Sequence, residues 1–287
     1  MATADDGDGE EAVTGFPYLR RRRDGSVRRL KGTDTVPPSI DSATGVASKD
    51  VPIVSATGVS ARLYLPPPPP ASSAAGEKLP IVVYFHGGGF CIESAASPTY
   101  HHYLNSLAAA APRLPAGAVA LRVRGLHPGL PRRRQLRGNI AHNMAMRAAV
   151  ETLSSGLKIE GLVAVHPLFW FSPAASETSP ASWSFLYPSA ARGLEEPCLN
   201  PAAAGAPCLA ALACRRVLVC LAEKDLLRDL GRRYYEALER SGFRGILEKL
   251  ESEGEGHIFH LLKPDCDTAN EMMERVAAFL GEKSSSL

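Results

Sequence analysis

The chain has 287 residues, of which 45% are hydrophobic and 22% are charged, and its formal net charge is +2. This composition supplies enough apolar sequence for one sizeable buried core and excludes a largely disordered chain. No stretch is long and apolar enough to span a bilayer, and residues 1–11 are acidic where a secretory signal would be basic and then apolar. We therefore expect a cytoplasmic protein with no membrane partner.

The N-terminal region changes from acidic to basic. Residues 1–12 are acidic and glycine-rich, which predicts a disordered tail. The basic run 19–23 could indicate a nucleic-acid partner, but Asp24 and Gly25 interrupt it. A solvated turn between two strands is the better interpretation, so we expect no nucleic acid. Residues 51–54 and 61–65 predict two antiparallel strands around a turn at Gly58.

A buried strand is predicted at residues 81–85, where the sequence is uniformly apolar or aromatic before it reaches His86 and three glycines. Glycines let the backbone turn sharply and leave the amide N–H groups unobstructed. Amides at Gly87, Gly88 and Gly89 could stabilise a developing oxyanion. A plain glycine-rich turn is the alternative interpretation.

A helix is predicted from Pro98 to Ala111, and its residues His101 and His102 are interpreted as ordinary helical histidines rather than as metal ligands. Six cysteines lack any Cys-x-x-Cys spacing and lie mostly in apolar surroundings, which favours reduced core thiols over disulfides or a metal site. We therefore expect no metal and no cofactor.

Two further strand-like segments carry polar residues at their ends. Residues 217–222 are apolar and lead to Asp225, and residues 247–250 lead to a glycine-rich loop that contains His257. The chain order is an oxyanion-type glycine loop, then an acid after a strand, then a histidine in a loop. This order is typical of the α/β-hydrolase fold, in which a Ser…Asp…His triad follows the oxyanion loop.

Here the chain resembles a known family, the plant carboxylesterases of the hormone-sensitive-lipase-like branch, which also contains the gibberellin receptor. The resemblance rests on the segments Gly32–Pro38, Gly45–Asp50, Gly58–Leu65, His86–Phe90, Gly138–His142, Ala222–Asp225 and Glu253–His257. It implies a single α/β domain over residues 13–287 with a mostly parallel central sheet, helices on both faces and cap elements near 13–40 and 171–207. It also implies a small-molecule ester as substrate or ligand, and it leaves the oligomeric state open.

Residues 112–137 depart from the family pattern. They contain seven arginines but no acidic residue and no lysine. No serine in the chain has glycines two positions before and after it, so the Gly-x-Ser-x-Gly nucleophile elbow is absent. In the family's register, counted back from Asn139, Gln135 occupies the serine position. A glutamine amide cannot be activated by a histidine as a nucleophile.

One hypothesis explains these departures: residues from about 112 to 137 are a frame-shifted and internally truncated translation of a normal esterase gene. Its origin is either an artefact, a mis-spliced or mis-predicted exon, or a real lesion in the gene. The segment is also too short for the strand, helix and central strand that the family places there. The fold is therefore expected to be incomplete in this region. An uninterrupted transcript that encodes these same residues, with no alternative frame through a serine elbow, would refute an artefact.

The resemblance implies a role for each surviving site residue. His257 would be the general base, Asp225 would orient it, Gly87 to Gly89 would form the oxyanion hole, and His86 would order that loop. The alternatives are a helix-capping acid for Asp225 and an ordinary loop histidine for His257. A strand-end histidine, His166, is expected to bond to the backbone and not to join the triad.

Three functional hypotheses follow. The first is a carboxylic-ester hydrolase by family whose chain is inactive or impaired because the serine is absent. The second is a non-catalytic small-molecule binder, like the gibberellin receptor, although the retained His257 disfavours that version. The third is a truncated product that does not fold stably, because a lost central strand removes hydrogen-bond partners on both of its sides.

Overall fold

The structure is a computed structural model that describes residues 10–13, 16–67, 81–89, 91–111, 118–122, 140–151, 157–171 and 193–282. Contacts divide these residues into two compact units. Described residues up to Arg122 form the first unit, and those from Ile140 onward form the second. The single domain over residues 13–287 stays a prediction.

A small antiparallel sheet opens the first unit, with strand order β1-β2-β3. Its strands are β1 (Glu11–Val13), β2 (Phe16–Arg21) and β3 (Val27–Arg29). Glu10 is buried before β1, where its carboxylate accepts hydrogen bonds from Arg28 at 2.6 Å and from Arg22 at 3.0 Å. The predicted disordered tail over residues 1–12 is therefore too long, because these ion pairs and the β1 ladder hold residues 10–12.

The basic run forms the hairpin that the sequence predicts, but with a shifted turn. Arg20 and Arg21 still belong to β2, and the chain reverses where Arg22 N–H donates to the Ser26 carbonyl at 2.9 Å. Leu19 is fully buried and packs in a cluster that includes Cys91, just beyond the glycine loop. This sheet therefore packs against the end of that loop.

The main sheet of the first unit has the strand order β4-β5-β7-β6. Its strands are β4 (Ala47–Val54), β5 (Val59–Leu65), β6 (Val82–Phe85) and β7 (Ala118–Arg122). The predicted β4–β5 hairpin is confirmed, β5 and β7 are antiparallel, and β6 and β7 are parallel. Helix α1 (Pro98–Ala110) follows the glycine loop as expected.

Strand β7 lies within residues 112–137, where the sequence predicted an incomplete fold and no particular strand. Ala118 to Arg122 pairs with β5 on one side and with β6 on the other. A run of four apolar residues is sufficient here, because two neighbouring strands satisfy its backbone. Residues 123–137 lie outside the described residues.

The second unit is built on a parallel sheet of order β10-β9-β8. Its strands are β8 (Gly161–Val165), β9 (Arg216–Ala222) and β10 (Ile246–Ser252). Its helices are α2 (Ile140–Ala148), α3 (Arg228–Arg240), α4 (Phe259–Leu262) and α5 (Asp267–Gly281). Every residue of β9 is buried, which explains why residues 217–222, after Arg216, form a continuous apolar run rather than an alternating one.

Helix α3 packs closely on β9. A Cβ atom at Gly231 would collide with the Leu221 side chain, so the glycine permits the close approach. The Tyr234 ring stacks on Phe169 with centroids 4.0 Å apart, and its hydroxyl lies 2.9 Å from His142 Nδ1. These contacts fix the layer that supports the carboxyl end of β9.

Within the described chain, β6 pairs only with β7 and β8 pairs only with β9, so each is an edge strand of its sheet. None of the described helices combines the length and hydrophobicity that crossing a membrane requires, and the longest, α5, has 15 residues.

Candidate active site

Two neighbouring loops carry Asp225 and His257. Strands β9 and β10 are parallel and stay paired to their last residues, so both loops leave the same edge of the sheet. Backbone hydrogen bonds join the loops, the shortest from Lys224 N–H to the Glu255 carbonyl at 2.7 Å. The sequence order alone brings the two residues to the same edge, and these bonds set their distance.

Asp225 and His257 form a hydrogen-bonded pair. His257 Nδ1 lies 2.8 Å from Asp225 Oδ2, and the Asp225 side chain is 2% exposed while that of His257 is 47% exposed. The second carboxylate oxygen accepts the Leu227 N–H at 2.8 Å, just before α3 begins. Asp225 therefore supports the turn before the helix, as the alternative interpretation expected, and contacts His257 with its other oxygen.

The electrostatics of Asp225 suit an orienting acid. Burial alone would raise the pKa of its carboxyl group, but the hydrogen bonds from His257 and the Leu227 amide lower that pKa below its ordinary value. An ionised Asp225 holds the proton on Nδ1 of His257. Nε2 is then the basic nitrogen, and it has no hydrogen-bond partner among the described residues.

His166 lies beside the Asp225–His257 pair. The sequence predicted a backbone hydrogen bond for His166 but not this proximity. Its Nδ1 accepts the Ile258 N–H at 3.0 Å and lies 4.0 Å from Asp225 Oδ2. The predicted backbone bond of His166 is therefore confirmed. Its position at the end of β8, next to β9, was the sequence signal for proximity to Asp225.

Three potential metal ligands, on His166, Asp225 and His257, lie within 4.8 Å of one another. Nδ1 of each histidine already takes part in a hydrogen bond. The arrangement therefore fits an acid–base pair better than a metal site, and the absence of metal and cofactor stays a prediction.

The glycine loop lies in the first unit. Gly88 and Gly89 have φ angles of 103° and 55°, in the left-handed region that favours glycine. A Cβ atom at Gly88 would collide with the Ile92 carbonyl group. The amides of Gly88 and Gly89 have no acceptor within the described residues, whereas Gly87 N–H donates to the Tyr100 hydroxyl at 2.9 Å. Two adjacent amides thus stay available for an anion.

His86 and Tyr100 support this loop. Nδ1 of His86 lies 2.7 Å from the Gly87 carbonyl oxygen, and the His86 and Tyr100 rings are 5.7 Å apart at their centroids. Burial raises the pKa of Tyr100 to about 12, although the hydrogen bond from Gly87 lowers it. These contacts agree with an ordering role for His86.

Several sequence expectations lie outside the described residues. Gln135 and Phe90 are among them, and so is most of the expected cap segment between Phe171 and Gly193.

In the second unit, a shallow groove of about 610 Å³ lies between α3 and the loop around Pro201, away from Asp225 and His257.

Comparisons with known proteins agree with this fold. The family described as having an alpha/beta hydrolase fold matches residues 138–261. A carboxyl esterase from the fungus Tuber melanosporum superposes with a TM-score of 0.61 at 16% identity, over 85% of this chain and 89% of that one. The fold defined by the two units and their sheets is therefore the α/β-hydrolase fold.

The sequence relatives give the family. A 2-hydroxyisoflavanone dehydratase of Glycyrrhiza echinata is 38% identical over 92% of this chain and 94% of its own length. A probable carboxylesterase of Arabidopsis thaliana is 36% identical over 93% of this chain and 95% of its own length. The chain belongs to the plant carboxylesterase family of α/β-hydrolases.

The same comparisons also give the length of the relatives and the start of the family match. The alignment with the Glycyrrhiza echinata protein extends over 315 positions, more than the 287 residues of this chain, so that relative has residues with no counterpart here. The family match begins at Gly138, directly after the segment 112–137.

Proposed function

We propose that this chain is a carboxylic-ester hydrolase by descent whose hydrolysis is impaired by the loss of its nucleophile. The observation that carries the proposal is a contrast within the chain. The Asp225–His257 hydrogen bond is intact at 2.8 Å, but the sequence holds no Gly-x-Ser-x-Gly serine for His257 to activate.

In a serine-type hydrolase, the histidine takes the serine proton during attack and returns it to the leaving alcohol. In this chain Gln135 stands at the serine position by sequence register, and its amide cannot form the acyl intermediate. By analogy with a serine protease, loss of the nucleophile costs about 10⁶ in turnover. We propose Gly88 and Gly89 as the oxyanion donors that survive. Gly87, which the resemblance also implied, is corrected to a supporting role, because its N–H donates to the Tyr100 hydroxyl.

Hydrolysis of p-nitrophenyl acetate tests this proposal. We expect the 287-residue chain to hydrolyse the ester only about 10³ to 10⁴ times faster than water does, the remainder that the oxyanion hole and binding leave when the nucleophile is absent. A chain in which residues 123–137 are replaced by the elbow-containing segment of a carboxylesterase relative should gain at least ~10³ in turnover. Typical esterase rates from the unmodified chain, abolished by His257→Ala, would contradict the proposal.

A second candidate is the elimination of water from a β-hydroxy ketone, favoured by the dehydratase among the relatives. This reaction needs a base and an oxyanion cradle but no acyl intermediate. His257 Nε2 would take the proton α to the carbonyl and the C–H electron pair would form the C=C bond. The hydroxyl group would leave as water with the proton that His257 returns.

The product spectrum separates this second candidate from hydrolysis. Incubation with 2-hydroxyisoflavanone should give the conjugated isoflavone and water, with a loss of about 10² to 10⁴ in rate for His257→Ala. A rate equal to that of the His257→Ala variant would rule the elimination out.

A non-catalytic binder and an unstable truncated product are the remaining alternatives. Cooperative thermal unfolding by far-UV circular dichroism would argue against the unstable product, and saturable binding of a carboxylate ligand without turnover would favour the binder. For location we propose the cytoplasm. A tulip relative, 39% identical, is named as chloroplastic, so a fluorescent fusion should be scored for plastids as well.

A further inference from the structure

His166 lies at the end of β8 in a conformation that non-glycine residues rarely adopt. Three non-glycine residues of the described chain have a positive φ angle, and two of them are His166 at 45° and Ile258 at 53°. The hydrogen bond from Ile258 N–H to His166 Nδ1 joins these two residues. Backbone strain of this kind persists only where surrounding contacts enforce it, and it is concentrated at functional sites.

Contacts hold both the backbone and the side chain of His166. Its backbone N–H donates to the Cys220 carbonyl of β9 at 2.9 Å, and its side chain is only 1% exposed. Its ring lies against those of His257, Phe259 and His260, with centroids 5.4 to 5.9 Å away. The imidazole is thus a rigid acceptor, and Ile258, the residue it holds, directly follows His257.

The acceptor role determines the tautomer of His166. Nδ1 must be unprotonated to accept the Ile258 N–H, so the ring proton lies on Nε2, which has no partner among the described residues. A proton on Nδ1 would instead face the Ile258 N–H and would lie 4.0 Å from Asp225 Oδ2, the oxygen that His257 uses. Two histidines therefore lie near one carboxylate oxygen, and the Ile258 amide decides which of them binds it.

We propose that His166 is a positioning residue for the Asp225–His257 pair. By accepting the Ile258 N–H it holds the loop that carries His257, and by keeping its own Nδ1 unprotonated it leaves Asp225 Oδ2 to His257 alone. The functional meaning of this arrangement rests on the proposed acid–base role of the pair. The arrangement itself is measurable without any turnover.

Nuclear magnetic resonance of the ¹⁵N-labelled full chain tests the tautomers. Long-range ¹H–¹⁵N spectra at neutral pH should show His166 with its proton on Nε2 and His257 with its proton on Nδ1. A proton on Nδ1 of His166 would overturn the proposal. The tautomer measurement needs no substrate, so it does not depend on activity. A chain that lacks activity but shows the expected tautomers would contradict the proposed function and leave this inference standing.

Two variants test the loop. His166→Phe keeps a ring but removes the acceptor, and it should speed hydrogen exchange of the Ile258 amide about tenfold and change the His257 Nδ1 proton signal. His166→Asn supplies an amide oxygen as acceptor and should restore both. Equal effects of the two variants would indicate general packing and would refute the positioning role. Unchanged exchange in His166→Phe would refute it as well.

Discussion

The two compact units differ in how much of a hydrolase each retains. The second unit has a parallel sheet with a wholly buried central strand, β9, and the acid–base pair Asp225–His257 at its carboxyl edge. The first unit has a mixed sheet and the glycine loop, and its strand β6, which among the described residues pairs with β7 alone, is partly exposed. Most of the sequence that departs from the family, residues 123–137, lies in the chain after β7 of the first unit and before the first helix of the second unit. Under the proposed function, a change confined to this segment removes the nucleophile and leaves the base and acid in place.

The largest expected effect is that of His257→Ala on the rate of ester hydrolysis. In an intact esterase, His257→Ala would remove most of the activity, but without a nucleophile the variant should change p-nitrophenyl acetate hydrolysis less than about tenfold. In the chain with a restored elbow, the same substitution should cost at least ~10³. Steady-state rates of the four proteins give the comparison, and an equal effect in both backgrounds would contradict it.

The next largest effect compares the stability contributed by the parallel sheet of the second unit with that of the main sheet of the first unit. Leu221→Ala in β9 removes a side chain that is 1% exposed and belongs to the main core cluster, so it should cost about 2–5 kcal/mol of unfolding free energy. Leu65→Ala in β5 truncates a side chain in a residue that is 54% exposed and should cost less than about 0.5 kcal/mol. Urea unfolding measures both. Similar losses would show that the exposed sheet is covered in solution.

Acid should weaken the second unit through three buried histidines. Burial lowers the pKa of His142 and His166 to about 4 and that of His260 to about 3, from an ordinary 6.5. Below pH 6.5 the unfolded chain binds protons that the folded chain does not, so stability should fall as the pH drops from 6.5 to about 4. Each pKa unit corresponds to about 1.4 kcal/mol per group.

Hydrogen exchange by mass spectrometry, followed from pH 7 to pH 4, measures this loss in peptides of the second unit. His142→Gln should flatten the slope, whereas a control variant of the exposed His102 on α1 should not. A slope that is the same in all three proteins would exclude the buried histidines as its cause.

The smallest effect tests the N-terminal sheet. Glu10→Gln weakens the ion pairs with Arg22 and Arg28, so residues 10–13 should exchange amide hydrogens faster. The control Glu11→Gln removes a pair with Arg21 in which both side chains are more than half exposed, and it should have little effect. Equal exchange in the two variants would mean that the Glu10 pairs do not hold β1.

Residue types were sufficient to predict the long buried strands and the polar groups at their ends. The uniform apolar run before Asp225 predicted a buried strand, and the glycines after His86 predicted a turn with open amides, because burial and backbone freedom follow from residue type. The sequence also showed that no elbow serine is present. The short strand β7 (Ala118–Arg122) was not predicted, because a five-residue strand depends on its pairing partners more than on its own sequence pattern.

Contacts between side chains from distant loops became visible only in the folded chain. The parallel register of β9 and β10 brings Asp225 to His257, and the left-handed turns at His166 and Ile258 place a second histidine beside the same carboxylate. Periodicity cannot reveal such contacts, because they depend on distances between loops that are far apart in the chain. The hydrogen bond from Ile258 to His166 spans 92 positions of sequence, and the fold alone makes it possible.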